Sequence, residues 1–276
     1  MENQRVLFVT QEIIPYLSEN TISHIGRYLP QGIQEKGNEI RTFMPRFGNI
    51  NERRNQLHEV IRLSGMNMVI SNTDHPLIIK VASIQSARMQ VYFIDNEDFF
   101  KRKFSLLDDN QQLFPDNDER MIFYARGVLE TVKKLRWAPD IVHCHGWFSA
   151  LVPLYIKKAY KEDPIFDNSK IVFSIYNQEF QGELSQDFIN KIPIDDITAK
   201  DIAVIEHPNY LNVIKLALQY SDAIALGEEG INSELIQLAN TTGLPVLPFY
   251  KDNNVLVDTY SDFYDSIIQK KYIEEY

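Results

Sequence analysis

Two histidines, His143 and His145, stand two residues apart and are candidates for binding a metal ion or a ligand. They end a short apolar run in residues 138–147, Ala-Pro-Asp-Ile-Val-His-Cys-His-Gly-Trp, and residues 148–160 then carry apolar side chains at helical spacing. Alternate side chains of a strand point the same way, so the two imidazoles could face one metal ion or one ligand. A strand that ends in polar residues before a helix is where open α/β sheets bind their ligands.

We favour a structural role for this stretch over a metal-binding one. No second pair of histidine, cysteine or carboxylate residues has a matching spacing, so we predict no metal and no cofactor. The imidazoles would then be polar strand ends that hydrogen-bond neighbouring loops. Cys144 lies between them and is expected to point to the opposite face, as a small buried residue rather than a nucleophile.

Two further groups of side chains could serve carbohydrate chemistry. Loop carboxylates could form the pair that glycoside hydrolysis needs, although a solvated loop is the favoured interpretation. Aromatic rings near the C-terminus could stack on sugars, but their helical spacing favours core packing. The carboxylates are Glu179, Glu183, Asp195 and Asp196, and the aromatic residues are Tyr250, Tyr260, Phe263, Tyr264 and Tyr272.

Composition restricts the class of protein. The chain has 276 residues, 44% of them hydrophobic, a formal net charge of −10 and one cysteine. The acidic balance argues against nucleic acid or an anionic membrane as a partner, and a single cysteine fits a reducing compartment. The first apolar run covers only residues 6–9, and no segment approaches the roughly 20 apolar residues of a membrane helix. We therefore expect a soluble, cytoplasmic protein without a membrane partner.

Strand and helix patterns alternate along nearly the whole chain. Strands are predicted at residues 6–10, 39–45, 77–84 and 89–95, then between Pro139 and His145, and at residues 171–177, 223–226 and 244–249. Helices are predicted at residues 22–36, 119–136, 210–220, 233–240 and 255–275. The short link at residues 85–88 predicts an antiparallel pair, and residues 96–118 are predicted to be a loop or flap. The fold class is therefore α/β with a mainly parallel sheet.

Several motifs occur in a fixed order along the chain. Residues 10–15 have the sequence Thr-Gln-Glu-Ile-Ile-Pro, residues 116–120 have Asp-Asn-Asp-Glu-Arg, and the stretches 139–147 and 177–182 follow two buried strands. In these motifs, residues 5 to about 245 resemble the N-terminal half of glycogen and starch synthases, glycosyltransferase family 5. The resemblance implies GT-B architecture, in which two Rossmann-like domains enclose the active site. We expect one such domain, residues 1–276, with the 255–275 helix packed back on it and the second domain absent.

The residues that carry function in the family are replaced here. In the glycine-rich loop, Ser18 stands where the resemblance places the lysine that meets the nucleotide-sugar phosphates, and Asn20 and Thr21 replace its two glycines. Gly146 stands in place of the aspartate that lines the catalytic centre. Tyr176 stands in place of the histidine that touches the transferred glucose. Three kinds of catalytic group are thus lost together.

These substitutions predict that the chain has no catalytic residues. We expect a degenerate, non-catalytic relative that binds glucan or sugar phosphate, or that regulates a partner. A sugar nucleotide is a further ligand that the resemblance implies. The alternative is an ADP-glucose-dependent α-1,4-glucan glucosyltransferase, completed by a second chain. In either case the resemblance places the remaining polar loop residues around one pocket. The predicted binding residues are Glu12, Asn20, His24, His143, His145, Tyr176 and Asn177.

The loops around that pocket also carry apolar side chains, which in the family would face the other domain. An exposed apolar face is typical of an interface, so a homodimer or a second chain is slightly favoured. The alternative is that residues 96–118 and the C-terminal helix cover this face within one chain. The side chains concerned are Ile13, Ile14, Tyr16, Phe47, Trp147, Phe148 and Phe180.

Overall fold

A mixed sheet with helices on both faces organises the chain. The computed structural model describes the backbone of residues 3–274 and the side chains of residues 3–269. The strands are β1 Arg5–Thr10, β2 Glu39–Pro45, β3 His58–Glu59, β4 Met66–Ile70, β5 Thr73–Ile84, β6 Met89–Asp95, β7 Ile141–His145, β8 Lys170–Ile175, β9 Ala223–Leu226 and β10 Val246–Leu247. The helices are α1 Thr21–Glu35, α2 Glu97–Phe100, α3 Asn117–Leu135, α4 Leu151–Lys157, α5 Phe188–Lys191, α6 Tyr210–Gln219, α7 Ser233–Thr241 and α8 Asn253–Glu274.

The strand order is β10-β9-β8-β7-β1-β2-β6-β5-β3, and β4 pairs with β5. Neighbours from β10 to β6 are parallel, whereas β5 runs antiparallel to β6. The predicted α/β class with a mainly parallel sheet is confirmed, as is the antiparallel pair. From β1 the chain first builds toward β6 and then returns to build β7 to β10 on the other side. The carboxyl ends of β1 and β7 therefore border the crevice that such a reversal creates.

Helix α1 packs one apolar stripe on the sheet. Ile22, Ile25, Leu29 and Ile33 are at most 3% exposed and contact the strand β1 side chains of Val6 and Phe8 in one cluster. Helix α8 covers the same face by packing against α1, where a Cβ on Gly32 would lie 2.3 Å from a methyl group of Val257. The described part of α8 ends at Glu274, so residue 275 and the side chain of Tyr272 lie outside the described residues.

The prediction of an exposed apolar face is wrong. Six of the seven side chains named for it are at most 6% exposed, and Ile14 is half-buried. The segment 97–116 covers the part of this face around Phe47, and it crosses so tightly that a Cβ on Gly48 would lie 2.2 Å from the Arg102 carbonyl. Tyr16 packs on Phe93, and Phe180 packs on Trp147 and Tyr210. The Phe47 ring contacts Phe100 and Phe148, each at 5.9 Å between centroids. Because the chain buries this face itself, the face gives no argument for a homodimer.

Candidate functional site

A cavity of about 420 Å³ opens at the carboxyl ends of the central strands. It is bordered by the segments that follow β1, β2, β7 and β8, and it is closed on one side by residues 104–111. Its volume lies within the range of about 300–1,000 Å³ that is typical of small-molecule sites. The lining residues are Gln11, Glu12, Asn49, Phe104, Ser105, Leu106, Leu107, Asp108, Gln111, Trp147, Gln178, Glu179 and Phe180.

Amide side chains and an aromatic wall form the chemistry of this cavity. Gln11 Nε2 donates to Gln178 Oε1 at 2.8 Å, and Gln11 Oε1 accepts from the Phe148 backbone N–H at 3.3 Å. The Trp147 ring packs edge-on against Phe180, with 4.8 Å between centroids. Among the described lining residues three are carboxylates and none is lysine or arginine. Such a lining suits a neutral, hydroxyl-rich ligand, because carboxylates accept from hydroxyls and repel phosphates.

The N-terminus of α1 is closed by its own side chains. Asn20 Oδ1 accepts from the Ser23 backbone N–H at 2.9 Å, and Ser23 Oγ accepts from the Asn20 backbone N–H at 2.9 Å. Asn20 Nδ2 also donates to the Glu12 carboxylate. This capping box uses two backbone donors that an anion at a helix N-terminus would otherwise accept from, and Glu12 places a negative charge beside them.

His143 and His145 lie side by side in the interior, with 3.8 Å between ring centroids and no exposed surface. His143 Nδ1 is 2.6 Å from the Tyr264 hydroxyl of α8, and its Nε2 is 2.7 Å from Ser174 Oγ. His145 Nδ1 is 2.8 Å from the Tyr176 hydroxyl. Burial lowers the pKa of His145 to about 3, and burial together with the neighbouring His145 holds the pKa of His143 well below its ordinary value.

Tyr176 points into the protein. Its side chain is 1% exposed, and a Cβ on Gly227 would lie 2.3 Å from its ring, so the absent side chain of Gly227 makes room for that ring. The Tyr176 carbonyl accepts from the Tyr210 hydroxyl at 2.5 Å. Burial raises the pKa of the Tyr176 hydroxyl well above its ordinary value, so this group stays protonated. Tyr176 is therefore part of the packed interior behind the cavity.

The seven predicted binding residues lie in four different places in the structure. Glu12 lines the large cavity, and Asn20 and His24 line a second cavity of about 270 Å³ beside Tyr250. His143, His145 and Tyr176 form the buried cluster under α8. Asn177 is exposed and bonds the loop that follows β9, donating to the Gly230 carbonyl at 2.9 Å and accepting from the Asn232 backbone N–H at 2.8 Å.

The main cavity also uses residues that the sequence interpretation missed. Gln11 stands beside the predicted Glu12, and Gln178 stands beside the predicted Asn177, so the signal was present in the two motifs. The contribution of residues 104–111 had no comparable signal, because a charged loop does not indicate where it folds.

Comparison with known proteins identifies the family of this chain. A family profile described as "Starch synthase catalytic domain" matches residues 5–246. The chain belongs to this family, glycosyltransferase family 5. It is 32% identical to a glycogen synthase of Chlorobium limicola over 223 residues, which are 80% of this chain and 45% of that protein. It is 38% identical to a glycogen synthase of Chlorobaculum tepidum over 183 residues, which are 65% of this chain and 37% of that protein. The chain thus spans about half, or less, of the length of these relatives.

A solved structure supports the fold assignment. The catalytic domain of starch synthase IV from Arabidopsis thaliana, bound to ADP and acarbose, matches with a TM-score of 0.72 and 17% identity, over 90% of this chain and 51% of that chain. At this identity the match shows the fold alone. The chain therefore has the Rossmann-like fold of a GT-B-type domain.

The backbone and the neighbours of Gly146 in this chain favour glycine at that position. Gly146 has a φ of +78°, in the region that favours glycine. A Cβ there would lie 2.5 Å from Gln11 Oε1 and 2.7 Å from the Ile22 side chain. An aspartate, which the resemblance places at this position in the family, would have to displace both neighbours. The backbone is thus adapted to glycine.

The remaining candidates for metal binding, nucleophilic catalysis and sugar stacking are mostly buried in the interior. Among residues 3–269, no group of three or more His, Cys, Asp or Glu side chains could hold a metal ion. Cys144 is fully buried, and burial raises the pKa of its thiol far above the ordinary value. Tyr260 and Tyr264 are at most 2% exposed, in agreement with core packing. In the part of the chain that the structure describes, no helix is both long and apolar enough to cross a membrane.

The loop carboxylates are exposed and engage separate partners. Glu179 lines the large cavity, whereas Glu183 lies 3.7 Å from His207 and Asp196 pairs with Lys161 at 2.8 Å. Asp195 lies in an exposed turn. They therefore do not form the facing pair that glycoside hydrolysis uses.

Proposed function

We propose that this chain is a non-catalytic member of its family that binds a neutral glucan chain in the carboxyl-end cavity. The observation that carries the proposal is the closed interior at Gly146 and Tyr176. Electrostatic catalysis needs charged groups that face the reacting atoms. Here a side chain at the first position would need a strained backbone, with φ at +78°, and would displace the ends of Gln11 and Ile22. The second position is filled by the Tyr176 ring, which lies between His145 and Gly227.

The nucleotide side of the reaction is likewise unsupported by this chain's residues. The capping box of Asn20 and Ser23 satisfies donors at the α1 N-terminus, and Glu12 contributes a negative charge there. A diphosphate would have to break this box and approach a carboxylate. A neutral glucan meets neither obstacle, because its hydroxyls can pair with the amides and carboxylates of the cavity.

We expect no glucose transfer from ADP-glucose or UDP-glucose to glycogen. The purified chain is incubated with radiolabelled donor, and polymer-bound label is compared with a heat-killed sample. The glycogen synthase of Chlorobium limicola serves as the positive control. Incorporation above the heat-killed sample would contradict the non-catalytic proposal and support the alternative, an ADP-glucose-dependent glucosyltransferase.

We expect maltotetraose to bind the chain. Gln178→Ala should weaken this binding by about tenfold, since the half-buried Gln178 amide is removed and the buried Gln11 amide loses its partner. Isothermal titration calorimetry measures the affinity. Gln186→Ala is the matched control, because Gln186 is exposed, bonds Glu183 and lies outside the cavity. Absence of binding, or an equal loss in both variants, would contradict the glucan site.

A further inference from the structure

A separate cavity of about 270 Å³ lies at the opposite edge of the sheet. It is formed by the amino-terminal halves of β2 and β6 together with the end of α1, whereas the glucan cavity lies at the carboxyl ends. Its polar lining includes Gln34, Glu39, Arg41, Arg88 and Gln90. It is smaller than the range of about 300–1,000 Å³ for typical ligand sites, so it suits a compact ligand.

This second edge is positive although the chain has a net charge of −10. Arg41 and Arg88 both line the cavity, and Glu39 is its carboxylate among the described residues. Arg5 lies 3.4 Å from Glu39 and offsets that charge. The cavity lining itself carries two guanidinium groups against one carboxylate, a balance that attracts an anion.

The guanidinium of Arg41 is held in place without a strong polar partner. It faces the rings of Tyr92 and Trp137, at 5.9 and 5.5 Å from their centroids. Its polar contacts are long, 3.3 Å to the Tyr92 hydroxyl and 3.5 Å to Glu39. Arg41 Nε and Gln34 Oε1 are buried without a hydrogen-bond partner in the described part of the chain. A fixed fork with unused donors is prepared for an oxyanion.

Arg88 supplies the second fork. It is exposed, with a φ of +50°, and its carbonyl accepts from Gln34 Nε2 at 3.3 Å. Within residues 3–269 the structure gives its guanidinium no hydrogen bond and no ion pair. The side chain is thus available to close over a ligand that Arg41 holds.

We infer that this cavity binds a phosphate monoester, with Arg41 and Arg88 on the phosphate oxygens and the amides of Gln34 and Gln90 on its remaining polar groups. Inorganic phosphate and a hexose phosphate share this chemistry. The site is independent of the glucan cavity, because it uses none of the same residues.

Calorimetric titration of the whole chain with inorganic phosphate, and separately with glucose 1-phosphate, tests the inference at constant ionic strength. We expect saturable binding of at least one of them, weakened about tenfold by Arg88→Gln and by Arg41→Gln, since each removes a charge-assisted contact. Arg136→Gln is the matched control. Arg136 is also an exposed arginine with a φ of +51°, and it lies outside the cavity.

The outcomes separate the sources and the alternatives. Tighter binding of glucose 1-phosphate identifies a sugar phosphate, whereas equal affinities identify the phosphate group alone. Lack of saturable binding of both up to about 10 mM would overturn the inference, as would an equal loss in the Arg136→Gln control. Thermal unfolding of each variant without ligand is the folding control, and Arg88→Gln should unfold at the parental temperature because its side chain is exposed. The maltotetraose affinity should be unchanged in all three variants.

Discussion

Acidification from about pH 6.5 to about pH 5 is expected to lower the free energy of unfolding by about 3 kcal/mol. The cause is the buried pair His143 and His145, whose pKa values burial holds far below the ordinary value, to about 3 for His145. The unfolded chain binds these two protons as the pH falls through about 6.5, but the folded chain does not. Stability is therefore full above the unfolded pKa and is lost as the pH falls toward the folded values.

Urea unfolding at several pH values between 7 and 5 measures this effect. The slope of unfolding free energy against pH should approach about two protons per molecule near the acidic end. In His143→Gln the slope should fall to about one proton, whatever the absolute stability of the variant. His58→Gln is the control, because His58 lies exposed on β3. A slope that is the same in His143→Gln and in the parent would show that the buried pair does not carry the pH dependence.

The mainly parallel sheet could be predicted because its central strands are apolar on both faces. Val6 to Val9 have no exposed surface, and such a run fits only a strand covered on both sides. The edge strands lack this signal. Strand β4 alternates buried and exposed residues over five positions, and its turn places Ser71 and Asn72 at positive φ without a glycine to mark it. Whether such an edge segment forms a strand depends on the neighbouring strand that it pairs with, and its own sequence does not decide this.

The predicted site residues lie at the carboxyl-end edge of the sheet, but three of them, His143, His145 and Tyr176, face the interior rather than the cavity. Strand alternation indicates that His143 and His145 share a face. It does not indicate which face stays open, because that depends on where a distant helix packs. Here α8 brings Tyr264 to 2.6 Å from His143 and closes that face. The open cavity belongs instead to residues just after the strands, such as Gln11 and Gln178, whose neighbours had been identified.

The covering segment 97–116 makes the difference between an exposed cleft and a cavity. It packs on the apolar loop that carries Phe47 and Gly48, and its residues 104–111 form one wall of the carboxyl-end cavity. Its placement depends on one buried cation. Arg120 of α3 has no exposed surface, and it donates to the carbonyls of Phe99 and Ser105 at 2.8 and 2.7 Å and to Asn117 Oδ1 at 2.6 Å.

Arg120→Met is expected to lower the free energy of unfolding by about 3 kcal/mol, because three buried acceptors lose their donor at about 1 kcal/mol each. Methionine keeps much of the side-chain volume, so the loss reports hydrogen bonding rather than a cavity. Burial lowers the pKa of the guanidinium to about 9, which leaves it charged at neutral pH, and its contacts with the rings of Phe100 and Phe114, both 5.3 Å away, are lost as well. Urea unfolding at pH 7.5 gives the free energy.

Thermolysin cleavage locates the effect. In Arg120→Met, cutting beside Phe104 and Leu106 should become faster, because the segment has lost the donor that fixes the Ser105 carbonyl. Arg102→Met is the control in the same segment. Arg102 pairs with Asp116, but their side chains are 32% and 25% exposed, so this pair should contribute no more than about 1 kcal/mol. If both variants lost equal stability, or if cleavage of Arg120→Met stayed at the parental rate, the buried guanidinium would not be what holds the wall of the cavity in place.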